Sequence, residues 1–594
     1  MSATEERHDP HTPDASTVVA GASNAAATAA PVAARPQVQA PVQVSKARFI
    51  LIFLSIMISV FLFALDQLIV ATAIPKITNQ FHSLTQISWL ANGFFITLLA
   101  FNLAFAQWMA IFPSKHVLLF AITIFEVGSF ICGIAPNMIT LIIGRAVAGL
   151  GGSGILNACI MVITEITTFA ERARYFGLIG VCFAIASVLG PLVGGAFSDH
   201  VSWRWCFYIN LPIGGISLLL IVLLVDTLPP YGRSATYQGY GRHMLKQLAE
   251  CDWVGVAIVL AWGVCFILGL EWGGIVKSWK DPNVIACLVM IPVLGGIFFA
   301  WEAYMGKNAM LPLHMLNDRD VTGAAFLNIF MWAVYVVAIY YLSEAYQAIY
   351  NASATNAGIS LLPQIATQIF VLIFSGRIIA RFGRSHWIIV AGPVFLTIGS
   401  GLLYSAGYPK PKHYYMGYSS ILGFGIGLVL QNSIIAVQYV FHKQPKLMSI
   451  ATGTVTFFGY VGRNVGISLA GSVFGNMLQK NLVKDVPSLS SDIIQKIQAN
   501  ANAVWTDVPD DLRPTVLEAY TKTLSYVFII GVPGSVIALA GALAMRDVKM
   551  DMSHGGAPAA KQKDVEAAPE EKTLPETAEP GEDERTEDGS GIKE

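Results

Sequence analysis

Charge is the scarcest ingredient of this 594-residue chain. Only 13% of residues are Asp, Glu, Lys or Arg, about half the roughly 25% of an ordinary soluble domain. That deficit excludes a soluble enzyme. A net charge of -1 gives no field that gathers polyanions, so no nucleic-acid partner is expected. Cysteine is sparse too. The seven cysteines (132, 159, 182, 206, 251, 265 and 287) lie mostly inside apolar runs, with no CxxC pair and no Cys/His cluster. Neither a metal site nor a disulfide framework is indicated. No Walker-type Gly-rich Lys loop occurs, which argues against an ATP-driven pump, and no cofactor is expected. Residues 1–47 lack large apolar side chains and are rich in Ala, Pro and Thr. Such a stretch cannot bury enough surface to offset its ordering entropy, so it is expected to be disordered. It is also too polar for a secretory signal, which leaves the first apolar run as an uncleaved anchor. Residues 547–594 read as a second disordered tail, acidic in character.

What the chain has in quantity is apolar sequence, 54% of residues at a mean hydropathy of +0.58. Fourteen apolar runs reach the length of a membrane span, about 18 residues or more. They lie near 49–72, 87–108, 116–135, 139–162, 175–197, 206–225, 253–272, 284–304, 322–345, 357–379, 387–406, 415–437, 449–476 and 522–545. Hydrocarbon cannot satisfy a free backbone N–H or C=O, so each run must be a helix. Continuous rather than alternating apolarity excludes a barrel. The expected fold is all-α and polytopic, a six-plus-two-plus-six arrangement. It divides into a first bundle at 48–226, a two-helix insertion with its cytosolic loop at 227–305, and a second bundle at 306–546. Lys and Arg number sixteen in the short loops on the side of the termini and six on the other. The termini are therefore expected in the cytosol. The sequon Asn351-Ala352-Ser353 then falls outside, which makes Asn351 a glycosylation candidate.

Ionisable groups inside apolar runs are costly and mark function. Asp66 lies in the run LDQLIVATAIP, Glu126 in the middle of span three, and Arg145 in span four within GRAVAGLGGSG. A three-membered Asp66/Arg145/Glu126 network could take up and release a proton. The plainer alternative is a permanent ion pair that locks helices together. Gly177, Gly190, Pro191, Gly194 and Gly195 make span five kinked and closely packable, as a sliding or sealing helix needs, or as ordinary small-residue packing produces. The run WRWCFYINLPIG follows.

With these residues in view, the chain resembles the major facilitator superfamily, in its fourteen-span drug:proton antiporter branch and most closely its fungal multidrug and toxin-efflux members. Asp66 with its surroundings is similar to the branch's first-span motif. Arg145 and Gly149 resemble its fourth-span motif. The span-five glycines with Pro191 and the WRWCFYINLPIG run resemble its antiporter motif. The likeness covers about residues 48–546. One loop departs from it: Ala106, Ala110, Pro113 and Ser114 stand where the family has Gly, Asp, Gly and Arg, and only Lys115 remains. The second-half counterpart keeps Gly376, Arg381, Gly383 and Arg384. Lys115, Arg381 and Arg384 are thus the candidate gating-loop residues.

The resemblance implies a central cavity lined by spans one, four, nine and twelve. Those spans carry Asn157, Asn328, Gln431 and Asn432, each lining the cavity or gluing helices together, with Trp332 among the aromatic candidates. It implies a proton-coupled exporter of a small organic compound (drug, toxin, secondary metabolite, glycolipid or organic acid). The alternatives are a proton symporter importing a siderophore-type chelate and a non-transporting sensor. The implied partners are substrate, protons and the lipid bilayer. The chain would act as a multi-pass monomer in the plasma membrane, or else in a vacuolar or other internal membrane. In the 480–521 loop, Leu489, Ile493, Ile494 and Ile497 follow helical spacing, which suggests a helix lying on the outer membrane surface.

Overall fold

A computed structural model describes residues 45–81, 87–228, 248, 251–274, 277–442, 444–499 and 501–549. Most of both tails, and the stretch 229–247 with Arg233, Arg242 and Lys246, lie outside the described residues. Among the described residues the protein is helical, without a named strand.

We label the membrane-crossing elements in chain order. The first six are α1 (Lys46–Phe81), α2 (Ile87–Ile111), α3 (Ser114–Ile134), α4 (Met138–Ile166), α5 (Phe169–His200) and α6 (Trp205–Leu224, broken at Ile209). Then come α7 (Trp253–Trp272) and α8 (Pro282–Met305). The last six are α9 (Arg319–Tyr350), α10 (Leu362–Phe382), α11 (His386–Tyr404), α12 (His413–Val440, broken at Leu430–Gln431), α13 (Pro445–Asp485) and α14 (Arg513–Ala544, broken at Ile530).

Local sequence explains the ends. Side-chain caps begin α4 (Asn137 accepts from the Thr140 N–H), α7 (Asp252 from the Gly255 N–H) and α9 (Asp318 from the Asp320 N–H). Proline occupies the first turn of α8, α10 and α13, where its missing N–H costs nothing. Gly383, at φ 66°, ends α10 in the left-handed region.

Thirteen helical stretches are long and apolar enough to cross a membrane. The predicted span 449–476 belongs to α13, which has the length at 41 residues but is too polar to join them. The reason lies in its packing. Glycines, threonines, Arg463 and Asn464 fill its sequence, and it packs against α9, α2 and α14 rather than presenting an apolar surface to lipid.

Within the first six helices, α1 packs on α5 and α6, and α4 on α2 and α3. Within the last six, α9 packs on α13 and α14, and α12 on α10 and α11. Between these groups the most extensive packing is of α2 with α13 and of α5 with α10. Helix α7 lies against both α2 and α13, while α8 packs chiefly on α7 and has only 11% of its apolar stretch buried.

The 480–521 segment corrects one expectation. A helix at Ser491–Ala499 does carry the apolar face, but Leu489, Ile494 and Ile497 are buried within the protein. Gln498 donates to the Gly475 carbonyl at 3.2 Å, and the Trp505 ring N–H donates to the Ala348 carbonyl at 2.8 Å. The segment caps α9 and α13 and does not lie on the membrane.

Candidate functional site

The site begins with close helix packing. A side chain at Gly149 would meet the Phe94 carbonyl oxygen at 2.2 Å, and one at Gly151 would meet the Phe125 nitrogen at 2.3 Å. Glycine at these positions lets α4 touch the backbones of α2 and α3, which sets Arg145 deep inside the first bundle.

There Arg145 Nη1 donates to Asp66 Oδ2 at 2.6 Å, with both side chains essentially sealed from solvent. Arg145 Nε donates to the Leu90 carbonyl at 3.3 Å, and its guanidinium lies 4.4 Å from the Phe94 ring centroid. On the other side, Asn210 Nδ2 donates to Asp66 Oδ1 at 3.3 Å and to Ser129 Oγ at 3.1 Å. A charged pair held away from water needs this kind of extra hydrogen bonding to persist. Asn210 is the Asn of the WRWCFYINLPIG run, so α6 supports the pair.

Of the expected three-membered network, hydrogen bonding joins Asp66 and Arg145, and Glu126 lies within electrostatic reach of Asp66. Glu126 is buried on α3, but neither of its carboxyl oxygens has a hydrogen-bond partner. It faces Gly214 of α6, where a side chain would collide with Oε1 at 1.8 Å. It sits one turn from Ser129 yet outside the Asp66–Arg145 hydrogen bonding.

The cavity candidates separate into two groups. Asn157 reaches the contact between halves: its Nδ2 donates to the Ser153 carbonyl at 3.3 Å, and its Oδ1 accepts from Thr456 Oγ1 of α13 at 3.1 Å. Asn102 of α2 joins the same contact, accepting from Thr456 at 3.4 Å. Asn328 binds Ser433 Oγ at 3.1 Å, and Asn432 binds Ser375 Oγ at 2.9 Å. Both therefore join helices within the second group. Gln431 is buried at the break in α12, its Oε1 without a partner.

Trp332 leads to a residue that sequence reading passed over. Arg463 of α13 sits 4.5 Å from the Trp332 ring and donates from Nη1 to Gln67 Oε1 of α1 at 2.7 Å. Gln67 is the neighbour of Asp66. The rule that singled out Arg145, a guanidinium inside a membrane run, would have found Arg463.

In α5, side chains at Gly177 and Gly180 would lie 3.7 and 2.7 Å from Ile373 and Leu372 of α10, and one at Gly190 would lie 2.9 Å from Leu68 of α1. The helix thus threads between its own bundle and the opposite one. Gly195 faces open space, Gly194 accepts a long contact from Cys206 at 3.9 Å, and the Pro191 side chain lies outside the described residues.

At the end that bears positive loops, Lys115 Nζ donates to the Val222 and Val225 carbonyls at 2.8 and 2.6 Å. Ser114, standing where the family has Arg, donates to Glu165 Oε1 at 2.6 Å. Gln107 reaches the Asn308 carbonyl at 2.8 Å, and Arg172 reaches Met448 at 4.0 Å. The departing loop therefore has contacts of its own. Arg384 lies 3.9 Å from Asp547, and Arg381 is exposed beside Phe382. Asn351 is exposed at the end of α9, at φ 49°.

With this geometry in place, likeness to known proteins can be weighed. The Major Facilitator Superfamily pattern matches residues 56–467. MFS-type efflux pump MFS1 of Arthroderma benhamiae is 37% identical over 490 residues, covering 82% of this chain and 89% of the relative. Efflux pump aflT of Aspergillus parasiticus is 35% identical over 518 residues, covering 86% and 98%. The rubrofusarin-specific efflux pump aurT of Gibberella zeae is 34% identical over 496 residues, covering 83% and 88%. Among solved structures, the proton:xylose symporter XylE superposes at a TM-score of 0.53 with 12% identity, over 83% of this chain and 95% of that one. The human organic anion transporter MFSD10 superposes at 0.51 with 13% identity, over 83% and 100%. At such identities the structural likeness concerns the fold.

Proposed function

Because this chain belongs to the Major Facilitator Superfamily, we propose that it is a secondary transporter that exports a small organic compound, of toxin or secondary-metabolite type, in exchange for protons. The direction and substrate type rest on relatives named as efflux pumps. The proton coupling rests on one observation above the others, the buried Asp66–Arg145 pair.

Protonation of Asp66 removes the negative charge that holds Arg145. Arg145 cannot shed its own charge, so it must turn toward Leu90, Phe94 or water. Asp66 lies on α1 beside Gln67, whose amide is bonded across to Arg463 of the opposite half. A change at the acid therefore shifts the same helix that closes the two halves together. The described halves meet through Arg463–Gln67, Thr456–Asn157 and Arg172–Met448. Neutral contacts of this kind contribute about 0.5–1.5 kcal/mol each, and those to a charged group about 1.5–3 kcal/mol. Helix α5, with small residues against α10, supplies the surface that slides. Export proceeds when, with the site open to the outside, Asp66 takes its proton from outside and substrate leaves outward; the halves then rock and the proton departs to the cytosol.

Proteoliposome flux tests this. A pH gradient, acid outside relative to the cytosolic face, should drive accumulation of medium-exported compound against its gradient, and collapse of the gradient should abolish it. Flux that persists unchanged without the gradient overturns the coupling.

A further inference from the structure

Arg463 differs from Arg145. Arg145 has a carboxylate at 2.6 Å. Arg463 has none among the described residues. Its partners are a neutral amide, Gln67, and the faces of Trp332 at 4.5 Å and Tyr460 at 5.8 Å. The phenols of Tyr335, Tyr340 and Tyr460 lie within electrostatic reach of it. Tyr460 is buried to 6% exposure, and its hydroxyl has no hydrogen-bond partner. A guanidinium keeps its charge and presents five N–H donors in a planar fork. Here at least one arm rests on an amide oxygen that carries no net charge, beside a phenol with an unused O–H.

We propose that Arg463, Trp332 and Tyr460 form a subsite for a singly charged aromatic acid, a ring bearing one carboxylate or phenolate. This deepens, and rests on, the reading of the protein as a transporter. The acid oxygens of the ligand take the place of Gln67 on the Arg463 fork and accept from the Tyr460 hydroxyl. Its ring lies against Trp332. One guanidinium and one neutral phenol match one negative charge; a phosphate dianion would leave a second charge uncompensated. The exchange of Gln67 for ligand also opens the contact between α1 and α13. Substrate arrival thereby loosens the halves at the residue next to Asp66. The ion pair occupies Arg145, and Arg463 supplies the clamp.

Binding to the purified full-length protein in lipid nanodiscs tests the subsite without any gradient. The probes are 2-naphthoate and its neutral isostere 2-naphthamide, read by tryptophan fluorescence. Wild-type protein should prefer the acid by about tenfold to hundredfold, the range for charge-assisted hydrogen bonds. R463Q should erase the preference, R463K should restore part of it, and Q67A, lacking the competing amide, should bind naphthoate more tightly. Naphthoate bound no better than naphthamide, or not at all, overturns the subsite, as does an R463Q protein that keeps the preference. Because no flux is measured, a failure here is separate from a failure of proton-driven export. Anion preference without flux retains the subsite and removes the transport reading.

Discussion

The Asp66–Arg145 pair allows a quantitative test. Asp66→Asn keeps the shape and one acceptor oxygen but removes the charge, leaving Arg145 with the Leu90 carbonyl and the Phe94 face. Breaking a buried pair from one side costs about 3–5 kcal/mol, because an uncompensated charge stays behind. Arg145→Gln should cost a similar amount, since it strands Asp66 with Asn210 at 3.3 Å as its remaining donor. The double variant D66N/R145Q buries no charge and should recover most of the loss. A protein of this size is not expected to unfold in two states, so the assay is the rank order of thermal midpoints of the purified protein: wild type, then the double variant, then the two singles. In parallel, all three should reach the membrane yet lose gradient-driven export. A double variant less stable than either single would show that the two residues contribute independently, and the argument from pairing would fail. Retained gradient-driven export in D66N would separately refute the role of Asp66 as the coupling acid.

Other expectations concern packing, closure and modification. Gly149→Leu should prevent a monodisperse protein by fluorescence-detected size exclusion, because the new side chain has a backbone carbonyl 2.2 Å from its first atom; Gly195→Ala, with nothing within 4 Å, should behave as wild type. A short bifunctional thiol cross-linker joining N157C to T456C should arrest transport, since those residues touch only while the halves are together at 3.1 Å; unaltered flux after complete cross-linking would mean that the halves do not part there. If Asn351 carries a glycan, Asn351→Gln should remove the mobility shift that a glycosidase removes from wild type. An enzyme-insensitive wild-type band would reject that site.

The membrane spans and the central ion pair were both legible in the sequence for one reason: hydrocarbon penalises exceptions. Long apolar runs announce helices, and Asp66 and Arg145 stand out against them. Their partnership with Asn210 and Ser129 was not legible, since those contacts come from helices 63 to 144 residues away along the chain and depend on how α3 and α6 approach. The same holds for Glu126, whose place beside Gly214 without a hydrogen-bond partner depends on how α3 and α6 meet. Amide side chains were ambiguous at the start because a single Asn can serve either purpose. Asn157 reaches the opposite half, whereas Asn328 and Asn432 stay within theirs. The apolar stripe at Leu489–Ile497 declared that something must cover it. Whether lipid or protein does so is decided by where the segment lands. Arg463 was legible by the rule that marks Arg145, since it too is a guanidinium inside a predicted span.

The placement of α7 carries a consequence for how an oily compound could approach. The two halves adjoin along two lateral lines, α2 with α13 and α5 with α10. The first line is roofed by α7, with α8 stacked outside it. Among the described residues the second is covered by no membrane-crossing helix, only by the short helix Ala354–Ser360 beside α5 and α10, and its walls are lined by Gly177, Gly180, Leu372 and Ile373. The extra helix pair thus buttresses one flank and leaves the other without it, which makes an otherwise near-symmetric carrier one-sided.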